Sequence, residues 1–148
     1  MNYLLDTNIL LIYLRAKEKR EKIESEYDPF GENNNPIISI VSVGEIKSIA
    51  KRNYWGEKKM RLLDEILNSL IIIDINSEDI TEKYAEIDAY SQGKLIDNPL
   101  PMSSRNMGKN DIWIAAATTF VTKSTLLTTD KDFSHLHNKY FPVVTIEY

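Results

Sequence analysis

The aliphatic residues of this chain come in short runs, and two of the runs stop on an aspartate. Leu4-Leu5 ends at Asp6, and Leu126-Leu127 ends, after two threonines, at Asp130. Two further runs are Ile37-Ile38-Ser39-Ile40-Val41 and Leu70-Ile71-Ile72-Ile73. Short, almost wholly aliphatic runs suit strands of a parallel sheet covered on both faces. The stretches between them carry apolar residues at helical spacing, as at Met60, Leu63 and Leu67. Strands alternating with helical pieces of about 10–15 residues predict a parallel α/β sheet sandwiched by helices.

The expected strands are a run ending at Asp6, then 37–41, 70–75, 124–129 and 142–146. The expected helices are 9–14, 17–26, one from Ser42 to about Arg52, 56–69, one from Ser77 to near Gly93, and 112–122. A single helical turn is expected at 133–136. Ser42 and Glu45 have the spacing of a capping box, which would start the third helix at Ser42. Residues 28–36, with Pro29, Gly31 and three asparagines, read as a loop. The longest loop is 94–108, with Pro99 and Pro101. Neither a repeat nor a linker interrupts the chain, so one domain spanning 1–148 is expected.

With 148 residues, the chain is long enough to bury a core without disulfide or metal support. It contains no cysteine, which excludes disulfide scaffolds, thiolate zinc sites and thiol catalysis. No apolar run approaches the roughly 18 residues of a membrane span, and Asp6 interrupts the N-terminal apolar stretch. A soluble, cytoplasmic protein is the expectation. The net charge of −4 argues against a bulk polycation for nucleic acid.

In an open parallel sheet, sites form beyond the carboxyl ends of the strands. Asp6 and Asp130 emerge there. Glu45 in the helix after the second strand and Asp111 at the start of the alanine-rich helix belong to the same edge. Each has an ordinary explanation alone, as a cap, a dipole partner or a turn residue. Convergence of four carboxylates has a different logic, because they repel one another unless a cation sits among them. All-oxygen ligands select hard ions such as Mg2+ or Mn2+. Removing these four from the 22 acidic residues leaves 18, equal to the 18 basic ones. Arg105, Lys109 and Lys131 flank the acids in sequence and are candidates for phosphate contacts.

Four motifs together resemble the PIN-domain ribonucleases, nearest to the VapC toxins of toxin–antitoxin pairs. They are Leu-Leu-Asp6-Thr-Asn8, Ser42-x-x-Glu45, Asn110-Asp111-x-x-Ile-Ala-Ala, and Thr128-Thr129-Asp130-x-Asp132-Phe, in the family's order. The resemblance implies a three-layer α/β/α sandwich with a central, mainly parallel sheet. It implies Mg2+- or Mn2+-dependent endonucleolytic cleavage of RNA, inhibiting translation and leaving a 5′-phosphate and a 3′-hydroxyl. Asp6 and Asp111 would be the principal metal ligands, with Glu45 and Asp130 completing the acidic pocket and Asp132 ranked lower. Thr7, Asn8 or Thr129 would hydrogen-bond the carboxylates, and Asn110 flanks Asp111. A cognate antitoxin is the implied partner, in a homodimer or a toxin–antitoxin hetero-oligomer. The connection over 94–110 is longer than the resemblance leads one to expect, which bears on substrate choice.

Other readings compete. A PIN-like domain without activity would bind only RNA or a partner. A receiver-like phosphoacceptor would use Asp74 at the end of a central strand, but the pair of adjacent acids expected after strand one is missing. His135 and His137 are the only histidines; packing or surface roles are expected for them rather than acid–base chemistry. Tyr13, Leu14, Tyr54, Trp55 and Met60 are candidates for either core or a partner surface, and Trp113 is expected in the core.

Overall fold

The protein is described here by a computed structural model covering residues 1–147; Tyr148, the end of the expected domain, lies outside the described residues. The chain runs β1 (Asn2–Leu5), α1 (Thr7–Arg15), α2 (Lys17–Glu26), β2 (Asn35–Ser39), α3 (Ile40–Arg52) and α4 (Glu57–Asn68). It continues β3 (Ile71–Ile73), α5 (Glu78–Ser91), α6 (Lys109–Phe120), β4 (Ser124–Thr128), a 3-10 turn (Lys131–Leu136) and β5 (Val143–Thr145). The five strands form one sheet in the order β3-β2-β1-β4-β5, with every pairing parallel.

Strand periodicity explains the layers. Successive side chains on a strand point to opposite faces. Leu4, Ile37 and Leu126 therefore fall into one core with Ile87, Ile112 and Phe133. Their neighbours Leu5, Ile38 and Leu127 fall into the other, with Ile9, Ile46 and Leu63. Helices α1 to α4 cover one face and α5 and α6 the other, which gives the expected α/β/α sandwich. Among the described residues no helix is long and apolar enough to cross a membrane.

Several local expectations fail. Strand β2 ends at Ser39, and Ile40 and Val41 already belong to α3. The cap of α3 is Ser39, whose side chain accepts from Val41 N at 3.1 Å. Register accounts for this: Ile37 pairs with Leu4, so Ser39 stands level with Asp6, where the sheet stops. The Ser42–Glu45 capping box does not form. Ser42 lies one turn inside the helix, buried, with no partner for its hydroxyl.

Strand β3 is three residues long rather than six, and it is an edge strand. Ile71 and Ile72 are 48% and 44% exposed because β3 pairs only with β2. Asp74 is exposed beyond this edge strand, not a central one, and its side chain accepts from Asn76 N to turn the chain. Trp113 is half-buried against Tyr84, with ring centroids 4.2 Å apart, rather than in the core. Among the ambiguous apolar residues, Tyr13 is core and Tyr54 is 91% exposed; Leu14, Trp55 and Met60 pack partly buried against the α1–α4 layer.

Candidate active site

The strand order reverses direction at β1, whose neighbours are β2 on one side and β4 on the other. That is where an open parallel sheet leaves a crevice at its carboxyl edge. Asp6 leaves β1 into this crevice and is buried, at 5% exposure. Its Oδ1 accepts from Thr7 N at 2.7 Å, which caps α1, and its Oδ2 accepts from the Thr128 hydroxyl at 2.7 Å. The Thr7 hydroxyl donates to Glu45 Oε1 at 2.9 Å, so one threonine holds two carboxylates from different elements.

Asp111 enters from the first turn of α6. Asp130 follows β4 and caps the 3-10 turn, its Oδ1 accepting from Asp132 N at 2.8 Å. The backbone N–H of Asp130 donates to the same Thr128 hydroxyl that holds Asp6, at 3.0 Å. Carboxylate oxygens of Asp111, Asp130 and Asp132 lie within 4.8 Å of one another. Asp6 and Glu45 stand outside this tight group, each fixed by a threonine, but both act on Asp111 electrostatically.

The electrostatics record an uncompensated cluster. Asp111 is pushed up to about 7, first by burial and then by the charges of Asp6, Asp130, Glu45 and Asp132. Asp6 is also raised, chiefly by burial, against the opposing hydrogen bonds from Thr128 and Thr7. Neither the Arg20–Glu24 pair, at 3.9 Å, nor the Lys83–Glu86 pair, at 3.6 Å, touches the cluster. Carboxylates raised by one another, with several oxygens in reach of one point, are a donor set that fits a hard divalent cation.

Residues 3–139 match the model of the PIN domain. The chain belongs to the PIN-domain family. No match is found among curated proteins. Similar solved structures include a chain of VapBC2 from Rickettsia felis bound to a promoter DNA fragment. That chain is 25% identical over 98% of each chain, with a TM-score of 0.72. A chain of a toxin–antitoxin complex from Klebsiella pneumoniae is 22% identical over 99% of each chain, TM-score 0.70. A chain of FitAcB from Neisseria gonorrhoeae is 21% identical, over 97% of this chain and 96% of that one, TM-score 0.68.

Within this PIN domain the expected site residues fall into distinct places. Asp6, Glu45, Asp111 and Asp130 converge at one edge, and Asp132, expected to rank lower, joins the tight group instead. Thr7 bonds the carboxylates as expected. Asn8 and Thr129 do not: Asn8 Nδ2 donates to Thr129 Oγ1 at 3.2 Å and fastens α1 to the end of β4. Asn110 is exposed beside Glu45, and Lys109 and Lys131 are exposed. Arg105 is drawn to the backbone: its Nη1 donates to Lys131 O at 3.2 Å and its N–H to Ser91 O at 2.7 Å.

Two supports escaped the sequence reading. Thr128 is the hinge between Asp6 and Asp130; its signal in the sequence is a hydroxyl that directly ends the Leu126-Leu127 run, two residues before an acid. The second is a buried group behind the turn. His135 Nε2 lies 2.7 Å from Ser91 Oγ, which donates to Met107 Sδ at 3.4 Å. This pins the turn and the end of the 94–108 connection to α5. His135 is held below the usual histidine range by burial and then by Arg105.

The Asp111 shift has a consequence for stability. Its carboxyl binds a proton more tightly folded, at about 7, than unfolded, at about 4. Its contribution is therefore complete below pH about 4 and lost as pH rises through about 7. In EDTA, the melting temperature of this PIN domain should fall by roughly 2–4 °C between pH 5.5 and 8, about 1 kcal/mol after halving the full linkage value for solvent screening of a half-exposed group. Saturating Mg2+ should flatten that profile, because a ligand that binds only the folded state offsets the repulsion. Thermal melts with and without metal test this; a metal-free profile that rises with pH contradicts it.

Proposed function

We propose that this PIN domain is a Mg2+- or Mn2+-dependent endoribonuclease, acting in the cytoplasm as the toxin of a toxin–antitoxin pair and arresting translation by cutting RNA. The observation that carries the reading is the convergence of Asp6, Glu45, Asp111, Asp130 and Asp132 from separate elements, with Asp111 pushed up to about 7 by its neighbours. A fold needing only caps and turns has no reason to maintain that repulsion.

In this reading, Asp111, Asp130 and Asp132 supply the oxygens that hold the cation, with Asp6 beside them in an orientation fixed by Thr7 and Thr128. When bound, the cation supplies Lewis-acid polarisation of the scissile phosphate and a lowered pKa for water. Glu45, fixed by Thr7, or Asp130 takes the proton from the attacking water. The new P–O bond forms to water oxygen, the bond to the 3′-oxygen breaks with its electron pair, and that oxygen takes up one proton from solvent, which balances the proton the carboxylate removed from the attacking water. Products then carry a 5′-phosphate and a 3′-hydroxyl. Lys109 and Lys131, and Arg105 if it leaves the Lys131 carbonyl, would meet neighbouring phosphates in this reading.

The partner follows from the similar structures, several of which are toxin–antitoxin complexes. An antitoxin would bind this chain in a hetero-oligomer, with or without a dimer of the toxin. Cleavage of a pool of transfer, ribosomal and messenger RNA tests the activity. Cutting is expected with Mg2+ or Mn2+, none in EDTA, and the new 5′ ends should be phosphorylated. Cleavage that persists in EDTA, or 2′,3′-cyclic phosphate ends, would sink the reading.

A further inference from the structure

A polar groove of about 420 Å³ leads away from the acidic site along α3. Glu45, at its inner end, belongs to both. Glu45, Ser48, Ile49 and Arg52 line it at the spacing of one helical stripe, so Arg52 lies about two turns, or roughly 10 Å, from Glu45. Gly44 borders the same groove, and Asn110, beside Asp111 on α6, reaches it from the other side.

Gly44 is the informative residue. It sits inside α3, where glycine is less stable than alanine. Neither backbone nor packing asks for it there: its φ is not positive, and a Cβ would meet no atom within 4 Å. What its missing side chain leaves is open space beside Glu45. Arg52 at the far end is a cation, Ser48 and Asn110 offer donors and acceptors, and Ile49 offers an apolar surface. That combination suits one nucleotide: phosphate on arginine, base edge on amide and hydroxyl, base face on isoleucine.

We propose that the Gly44–Arg52 groove is a binding site for the single-stranded RNA nucleotide next to the bond being cut, with Arg52 taking its phosphate and Gly44 keeping the groove open. The inference rests on the ribonuclease reading for its substrate class. Val41 and Ile49 are the apolar side chains of the lining; Glu45, Ser48, Arg52 and Asn110 are polar, a mixture that favours RNA over a protein helix, which would call for a continuous apolar channel.

The test is binding of a fluorescein-labelled 12-nucleotide single-stranded RNA, in Mg2+, by the full chain carrying Asp111→Asn so that it does not cut. Added singly, Arg52→Gln and Gly44→Gln should each weaken binding about tenfold. Arg52→Gln should also reduce the slope of log affinity against log salt by about 0.7, the loss of one phosphate contact on a single strand. Lys51→Gln, which removes a charge from the same helix end outside the groove, should change affinity less than about twofold. Gly44→Ala should raise the melting temperature by roughly 1–4 °C, which shows that the helix itself tolerates a side chain there.

Absence of RNA binding by the parent overturns the groove, as do folded Arg52→Gln and Gly44→Gln variants that bind normally. So does a result in which these variants lose only a protein partner. The ribonuclease reading is judged separately, by metal-dependent cutting in the unsubstituted chain. Cutting with unaffected groove variants leaves that reading standing and the groove refuted; groove-dependent binding without cutting does the reverse.

Discussion

Asp111→Asn should lower RNA cleavage by about three orders of magnitude, the upper range for removing one electrostatic element of a site, and at the same time raise the stability of the metal-free protein. The two effects share one cause. Asp111 is half-buried among four other carboxylates and is raised to about 7 by burial and their charge. An amide keeps the shape and removes one member of the repelling set, so above pH 7 the metal-free fold gains. Asp6→Asn should lose cleavage as completely but not stabilise. Both Asp6 oxygens accept hydrogen bonds, from Thr7 N and the Thr128 hydroxyl, and an amide offers only one acceptor oxygen. Losing a buried bond costs about 1–2 kcal/mol, which offsets the relief of charge. Single-turnover cleavage and melting in EDTA separate the pair. An Asp111→Asn chain that cuts within about tenfold of the parent removes Asp111 from the metal set.

Such a contrast between two aspartates was not visible in the sequence, although both residues were. Asp6 and Asp130 announce themselves because aliphatic strands stop on them, and Asp111 because it opens an apolar helix. Period-two alternation also shows why Leu4 and Leu5 serve different cores. Register is what a single sequence conceals. The alignment of Leu4 with Ile37 and Leu126 places Ser39 and Thr128 level with Asp6. That alignment makes Ser39 rather than Ser42 the helix cap, and Thr128 rather than Thr129 the partner of Asp6. Strand position in the sheet is hidden for the same reason: 70–75 is as aliphatic as a central strand, yet only Ile71–Ile73 pairs, at the edge. The nearness of Asp132 to Asp111 and Asp130 is hidden as well, because it depends on a turn that Asp130 itself caps.

That turn is held by packing more than by its own hydrogen bonds, and Phe133→Ala should expose this. A six-residue 3-10 segment has little intrinsic stability. Phe133 anchors it, fully buried in the core with Leu4, Ile112 and Leu126. Truncation to alanine should cost about 3–5 kcal/mol, which for a chain of this size lowers the melting temperature by roughly 6–20 °C. The cavity opens in the turn that Asp130 caps and that carries Asp132, so Mn2+ affinity measured well below the melting temperature should fall as well, by at least about tenfold, since a loose shell costs metal sites that much. Leu63→Ala is the control. It removes a fully buried side chain from the opposite layer, packed with Ile9 and Ile46, at about 2–5 kcal/mol. Its carboxylate turn is untouched, so Mn2+ affinity should stay within about twofold of the parent while stability falls. Equal loss of affinity in both variants would show that the site senses global stability alone. Loss confined to Phe133→Ala would show that one aromatic side chain converts core packing into the placement of two of the acids.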